Sequence, residues 1–187
     1  MRKGQNLAEQ SRVFSSTSFS GVTIFLSHIS IDKDVAIKIG QYIMDAGFDI
    51  YLDINDQKLQ QAVKENNAAV ITQCIEQGIS KSTHIMCLIS EKTKESWWVP
   101  YELGFGKKSG KIISSLCHRD VTYIPPYLRI ATVLEGIESL NKYLESLIKK
   151  QPIVLNEQVY KQYSWQQGYL VQPSTSHPLV QYLKAGK

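Results

Sequence analysis

The chain has 187 residues, 43% of them hydrophobic and 20% charged, and a net charge of +4. This length and composition are typical of one folded globular domain with a modest extension, and they exclude a disordered chain. The basic residues form no stripe with aromatics and no stretch approaches the length of a membrane span, so we expect a protein of the cytoplasm that binds neither nucleic acid nor membrane.

Residues 1–20 are rich in serine, lack the apolar core of a signal peptide, and are expected to form a mobile polar arm. From residue 21 onward, short apolar runs alternate with helical periodicity, which is typical of an α/β domain with a parallel sheet. Strands are predicted at residues 22–26, 48–52, 83–89, 111–116 and 129–134. Helices are predicted to end at Gly47 and at Gly78 and to cover residues 96–108 and 136–150, with a polar loop over residues 53–61.

Five strands joined by crossover helices predict a flavodoxin-like, three-layer α/β fold with the strand order 2-1-3-4-5. The domain is expected to cover residues 21–150. Residues 151–187 are rich in aromatic side chains, among them Tyr160, Tyr163, Trp165, Tyr169 and Tyr182. We expect this aromatic-rich extension to pack on the domain rather than to extend into solvent.

Polar side chains follow three of the predicted strands, at the edge of the sheet where open α/β folds bind ligands. Ser27 and His28 follow the first strand, Asp53 the second and Ser90 the third. A phosphoryl-accepting receiver domain would need an aspartate at the position of Ser90, and a P-loop would need glycines where Ser-His-Ile-Ser follows the first strand. With both chemistries excluded, a single carboxylate on the next helix, Glu102, remains as the candidate reactive group.

The segment SWWVPYELG, residues 96–104, carries that carboxylate. Pro100 must lie in the first helical turn, which places Trp98 and Glu102, four residues apart, on one face near the start of the helix. A glutamate at this position is also favoured by the helix dipole alone, and tryptophans belong to protein cores more often than to binding sites. The residues alone leave both interpretations open.

The sequence shows no pattern of metal ligands. Cys74, Cys87 and Cys117 are an odd number of cysteines without ligand spacing, and we expect them to be reduced thiols in or near the core. His118 and His177 carry no recognisable spacing either. We therefore assign no metal site.

Four stretches of the sequence, VTIFLSHIS, GFDIYLD, CIEQGISKSTHIMCLIS and SWWVPYELG, resemble the TIR (Toll/interleukin-1 receptor) domain. The resemblance covers about residues 21–150 and is strongest to stand-alone bacterial TIR proteins, including those of Thoeris-type anti-phage systems. Trp98 and Glu102 match the W-x-x-x-E pattern of TIR enzymes that cleave NAD, in which the glutamate is catalytic. The pattern is specific here because it occurs in the matching sheet context.

The resemblance implies a role for each candidate residue. Glu102 would be the catalytic residue, and Trp98 would offer a flat surface to a ring of the substrate. The other expected substrate contacts are Ser27, His28, Asp53, Ser90 and Tyr101. Because NAD would be the substrate, no cofactor is expected.

The implied function is cleavage of the nicotinamide-ribose bond of NAD to make an ADP-ribose-based signal, cyclic or conjugated, for a separately encoded effector. Contacts between TIR domains through the loop over residues 53–61 would complete the site, so self-association is expected. Three alternatives stay open. They are a non-catalytic TIR adaptor, a plain NAD-depleting glycohydrolase, and a secreted virulence protein, for which no export signal is visible.

Overall fold

A computed structural model describes residues 3–9, 21–149, 170 and 174–186 of the chain. At its centre lies a sheet of five strands, β1 Thr23–Ser27, β2 Asp49–Tyr51, β3 His84–Ile89, β4 Ile112–Cys117 and β5 Thr132–Leu134. The strands are all parallel and lie in the order β2-β1-β3-β4-β5. The predicted flavodoxin-like α/β fold is confirmed.

Five helices cover the sheet: α1 Lys33–Asp45, α2 Gln57–Lys64, α3 Ala68–Lys81, α4 Trp98–Lys108 and α5 Ile137–Lys149. Side chains alternate along the strands, so Leu26 and Met86 pack against α1 and α5 while Phe25 and Ile85 pack against α3 and α4. The sheet is therefore covered by helices on both faces. Of the helices in the described parts of the chain, none is long and apolar enough to cross a membrane.

The segment after β2 differs from the predicted polar loop. Asp53–Asn55 forms a short 3₁₀ turn, and α2 begins at Gln57. The Asp56 carboxylate accepts a hydrogen bond from the Leu59 backbone N–H over 3.1 Å, which caps the helix, and Leu59 is buried. The helix was missed because it is short and polar: of its eight residues Leu59 and Ala62 are buried, three positions apart on one face.

Residues 3–9 pack along the exposed edge of β2 instead of forming a mobile arm. The Ile50 N–H donates to the Gln5 carbonyl over 2.9 Å. The side chain of Asn6 accepts from the Leu52 N–H and donates to the Leu52 carbonyl, both over 3.0 Å. Gly4 comes so close to the backbone that a Cβ atom there would lie 1.8 Å from the Phe48 carbonyl oxygen. The remainder of the predicted arm, residues 1–2 and 10–20, lies outside the described residues.

The described part of the C-terminal extension contacts the domain on the α1 and α5 side. Leu170, Leu179 and Leu183 belong to the apolar layer formed with these helices. His177 is buried, and its Nε2 lies 3.4 Å from the hydroxyl of Tyr42 on α1. The aromatic residues between 151 and 169 lie outside the described residues, so the boundaries of the extension stay predictions.

Candidate active site

Glu102 lies on the inner face of α4, with 5% of its surface exposed. Pro100 is in the first turn of this helix, where the backbone N–H that proline lacks would have no helical partner. Val99 and Leu103 share the inner face and pack into the apolar layer between the sheet and α3 and α4. The helix therefore holds one carboxyl group inside an otherwise apolar layer.

Ser27 fixes the position of this carboxyl group. Because β1 runs one residue further than predicted, Ser27 is the last residue of the strand, and only 1% of it is exposed. Its hydroxyl donates a hydrogen bond to Oε2 of Glu102 over 2.5 Å. Cys87 pairs with Ser27 across β1 and β3 and is fully buried. The Glu102 carboxyl group thus lies against the carboxyl end of β1 and close to Cys87 of β3.

The surroundings of Glu102 raise the pKa of its carboxyl group toward the neutral pH range. Burial raises the pKa of Glu102 to about 8, because a carboxylate loses its hydration inside the apolar layer. The hydrogen bond from Ser27 opposes this rise in pKa, and the negative charge of Asp53 adds to it. A carboxylate in such a site can stabilise a positive centre more strongly than one in water, since the low-dielectric surroundings screen it less.

Asp53 and His28 lie at the same edge of the sheet. Asp53 follows β2, is half-buried, and has its pKa raised by burial, while the positive form of the nearby His28 opposes the rise. His28 directly follows Ser27, and its Nδ1 lies 3.0 Å from the Leu26 carbonyl. The structure therefore brings four of the predicted residues together: Ser27, His28, Asp53 and Glu102.

Trp98 and Tyr101 form an aromatic stripe beside the buried face of α4. Their ring centroids are 6.0 Å apart in an edge-to-face contact, and Tyr101 stacks on Phe105 at 6.4 Å. Trp98 is 38% exposed, whereas Tyr101 donates its hydroxyl to the Glu76 carboxylate on α3 over 2.5 Å. Trp98 lies one helical turn before Glu102 and keeps part of its ring accessible to a ligand.

Ser90 directly follows β3. It lines a small cleft with Asp32 and His118, and its hydroxyl accepts a hydrogen bond from the Lys92 N–H over 3.3 Å. Substrate contact by Ser90 therefore stays a prediction. Among the described residues there is no cluster of three or more acidic, histidine or cysteine side chains that could hold a metal.

Residues 24–143 match the sequence family described as TIR domain. The chain belongs to the TIR domain family. The matched region contains every residue of the site, from Ser27 to Glu102, so the W-x-x-x-E pattern occurs in a TIR domain with the expected topology.

One curated relative of this TIR chain comes from Bacillus cereus (strain MSX-D12) and is named "Probable 3' cyclic ADP-D-ribose synthase ThsB'". The two are 30% identical over 83 residues, which are 44% of this chain and 42% of the relative. The match therefore spans less than half of the relative's length. It confirms the resemblance to bacterial Thoeris-type TIR proteins.

Sequence reasoning missed the partner of Glu102. Substrate contact by Ser27 stays a prediction, and the structure adds that its hydroxyl donates to the Glu102 carboxyl group. The available signal was strand alternation, because Ser27 lies two residues after Phe25 and shares its face of the sheet. That face carries α4, so a serine ending the strand can reach an inward carboxyl group of this helix.

Proposed function

We propose that this TIR protein cleaves the nicotinamide-ribose bond of NAD and makes an ADP-ribose-based signal for a separately encoded effector. The observation that supports it most directly is the Glu102 carboxyl group, which is buried against the strand ends and held by Ser27. A glutamate favoured only by the helix dipole would gain most of that benefit at the helix surface. Burying an ionisable group is costly, and such groups are concentrated at functional sites.

One carboxylate is enough for this cleavage because of the leaving group. Nicotinamide in NAD is a pyridinium, so it departs as a neutral molecule with the bonding electron pair and needs no general acid. Positive charge then develops on the ribose as an oxocarbenium-like centre, which a nearby carboxylate stabilises. In this mechanism Glu102 supplies the negative charge, Ser27 holds its oxygen in place, and the partly exposed ring of Trp98 offers a stacking surface.

The pH dependence follows from the carboxylate form being the active one. We expect kcat/KM for NAD cleavage to rise with pH and to level off near the pKa of Glu102, about 8, because kcat/KM reports ionisations of the free enzyme. Below that pH the value should fall about tenfold for each unit. Ser27→Ala removes the hydrogen bond that lowers the pKa, so the rising limb should move to higher pH.

The matched control for this prediction is Ser146→Ala. That hydroxyl donates to the Tyr143 carbonyl on α5, on the opposite side of the sheet. Initial rates of nicotinamide release across the pH range would be compared for both variants and the unchanged protein. A Ser27→Ala profile with an unmoved rising limb would contradict the assignment.

Incubating the purified protein with NAD tests the proposed function. We expect nicotinamide together with a cyclic or conjugated ADP-ribose, detected by chromatography and mass spectrometry. The relative named as a cyclic ADP-ribose synthase supports a cyclic product. Absence of nicotinamide under all conditions would favour an adaptor, and plain ADP-ribose as the sole product would favour an NAD-depleting glycohydrolase.

Self-association is part of the proposal. The segment after β2 includes α2, where Val63 leaves 55% of its surface exposed, and Trp97 before α4 is 90% exposed. Single exposed apolar residues are common on protein surfaces, so self-association rests on the resemblance to TIR domains, and these two side chains are apolar groups available for the contact. Specific activity should therefore rise with protein concentration, and Val63→Glu should weaken that rise. Constant specific activity across a wide dilution series would count against self-association.

A further inference from the structure

Asp53 follows the end of β2, the strand next to β1, which ends at Ser27. β1 and β2 pair so that Phe25 lies next to Tyr51. The backbone stays extended at Leu52, with φ −123° and ψ 108°. Asp53 begins a 3₁₀ turn two residues after this pair, and its negative charge acts on the Glu102 carboxyl group, so it lies near the site. Ser27, two residues after Phe25, shares the face that Phe25 and Tyr51 present to α3 and α4. This is the face from which Glu102 approaches.

The carboxyl group of Asp53 is hydrogen-bonded to its own backbone N–H and is otherwise less committed than its neighbours. Asp56 is occupied, because its two oxygens accept from the Leu59 N–H and the Tyr51 hydroxyl. The Glu102 carboxyl group is held by Ser27. No side-chain donor in the described parts of the chain is hydrogen-bonded to Asp53, and the residue is half-buried, so it has access both to the site and to solvent.

His28 lies near Asp53, and its hydrogen bond shows which ring nitrogen carries the proton. A carbonyl oxygen can only accept a hydrogen bond, so the contact between Nδ1 and the Leu26 carbonyl means that Nδ1 carries the hydrogen. Nε2 is then the nitrogen with the lone pair in the neutral ring. His28 therefore brings a basic nitrogen, and Asp53 a carboxylate, to the outer edge of the site. Glu102 and Ser27 form the inner side of the site.

The second half of the proposed reaction needs a base. Once nicotinamide has left, a hydroxyl group must attack the ribose carbon, and the hydroxyl proton must be removed as the new C–O bond forms. We propose that Asp53, flanked by His28, is the general base that accepts this proton from the attacking hydroxyl. The inference rests on the proposed function.

The step is balanced without a further reactant. The bond between the ribose carbon and the nicotinamide nitrogen breaks, and its electron pair leaves with nicotinamide. A lone pair of the hydroxyl oxygen forms the C–O bond, and the proton passes to the Asp53 carboxylate and then to water. Burial raises the pKa of Asp53, which makes its carboxylate a better base near neutral pH.

Asp53→Asn tests the division of roles, because cleavage and hydroxyl attack can be measured separately. Exchange of isotopically labelled nicotinamide into NAD requires the C–N bond to break and re-form but moves no proton. We expect Asp53→Asn to keep this exchange within about 3-fold while forming cyclic ADP-ribose and ADP-ribose at least about 100-fold more slowly, the usual scale of general-base catalysis. Glu102→Gln should lose both activities.

The matched control is Asp45→Asn, the same chemical change at a carboxylate that pairs with Lys3 at the far end of α1. A second variant, Asp53→Ala, should regain product formation with added formate but not with chloride, since formate can replace the missing carboxylate. The general-base role of Asp53 would be overturned if both Asp53 variants lost exchange and product formation equally, or if neither lost product formation. Either result would leave the proposed function standing. Absence of nicotinamide release and of exchange in the unchanged protein would overturn the proposed function as well.

Discussion

Glu102→Gln should lower the rate of NAD cleavage at least about 100-fold, the scale of losing one electrostatic stabiliser of a transition state. Glutamine has nearly the same shape and can still accept the Ser27 hydroxyl through its amide oxygen, so the contact at the end of β1 should survive. The loss would then come from the missing negative charge. Nicotinamide release under saturating NAD measures the effect.

Glu138→Gln is the control for charge. Glu138 pairs with Lys142 on α5, with 45% of its side chain exposed, on the face of the sheet away from Glu102. This variant should keep the full rate of nicotinamide release. Near-normal turnover in Glu102→Gln would remove the catalytic assignment, and equal losses in both variants would point to a general effect of charge or stability.

The sheet was predictable because β1, β2 and β3 are buried along their whole length. Such strands appear in sequence as continuous apolar runs, and the helices between them fix a parallel order. β5 is shorter than predicted because the 3₁₀ turn at Pro126–Leu128 continues into a turn over residues 129–131, so that the strand begins only at Thr132. The packing of residues 3–9 was not predictable, since it depends on Asn6 matching the backbone of one residue, Leu52, far along the chain.

The candidate site was predictable in place but not in detail. Parallel topology brings Ser27, Asp53 and Glu102 to one edge, and this much followed from the strand ends. The contact between Ser27 and Glu102 joins residues 75 positions apart, so no local pattern could reveal it. The burial of Glu102 could not be predicted from the sequence, because it depends on the angle at which α4 packs on the sheet.

The buried carboxyl group also has a consequence for stability. In the unfolded chain Glu102 ionises near its usual pKa of 4.5, whereas in the folded protein the pKa is about 8. Between these values the folded state holds a proton that the unfolded state has lost. The free energy of unfolding therefore decreases as pH rises through this window, by about 1.4 kcal/mol for each unit. Below pH 4.5 this contribution is fully present, and above about 8 it is lost.

Glu102→Gln should remove this loss of stability, because glutamine stays neutral at every pH. We expect the variant to be more stable than the unchanged protein at pH 8, by on the order of 3–4 kcal/mol, and about equally stable at pH 4.5. Urea unfolding at the two pH values measures the difference, and Glu138→Gln should follow the unchanged protein at both. If Glu102 served only to stabilise α4, its replacement would instead destabilise the fold at pH 8. If replacing Glu102 raises the free energy of unfolding and stops turnover, the carboxylate is retained for its chemistry. A structural role would require the replacement to lower the free energy of unfolding.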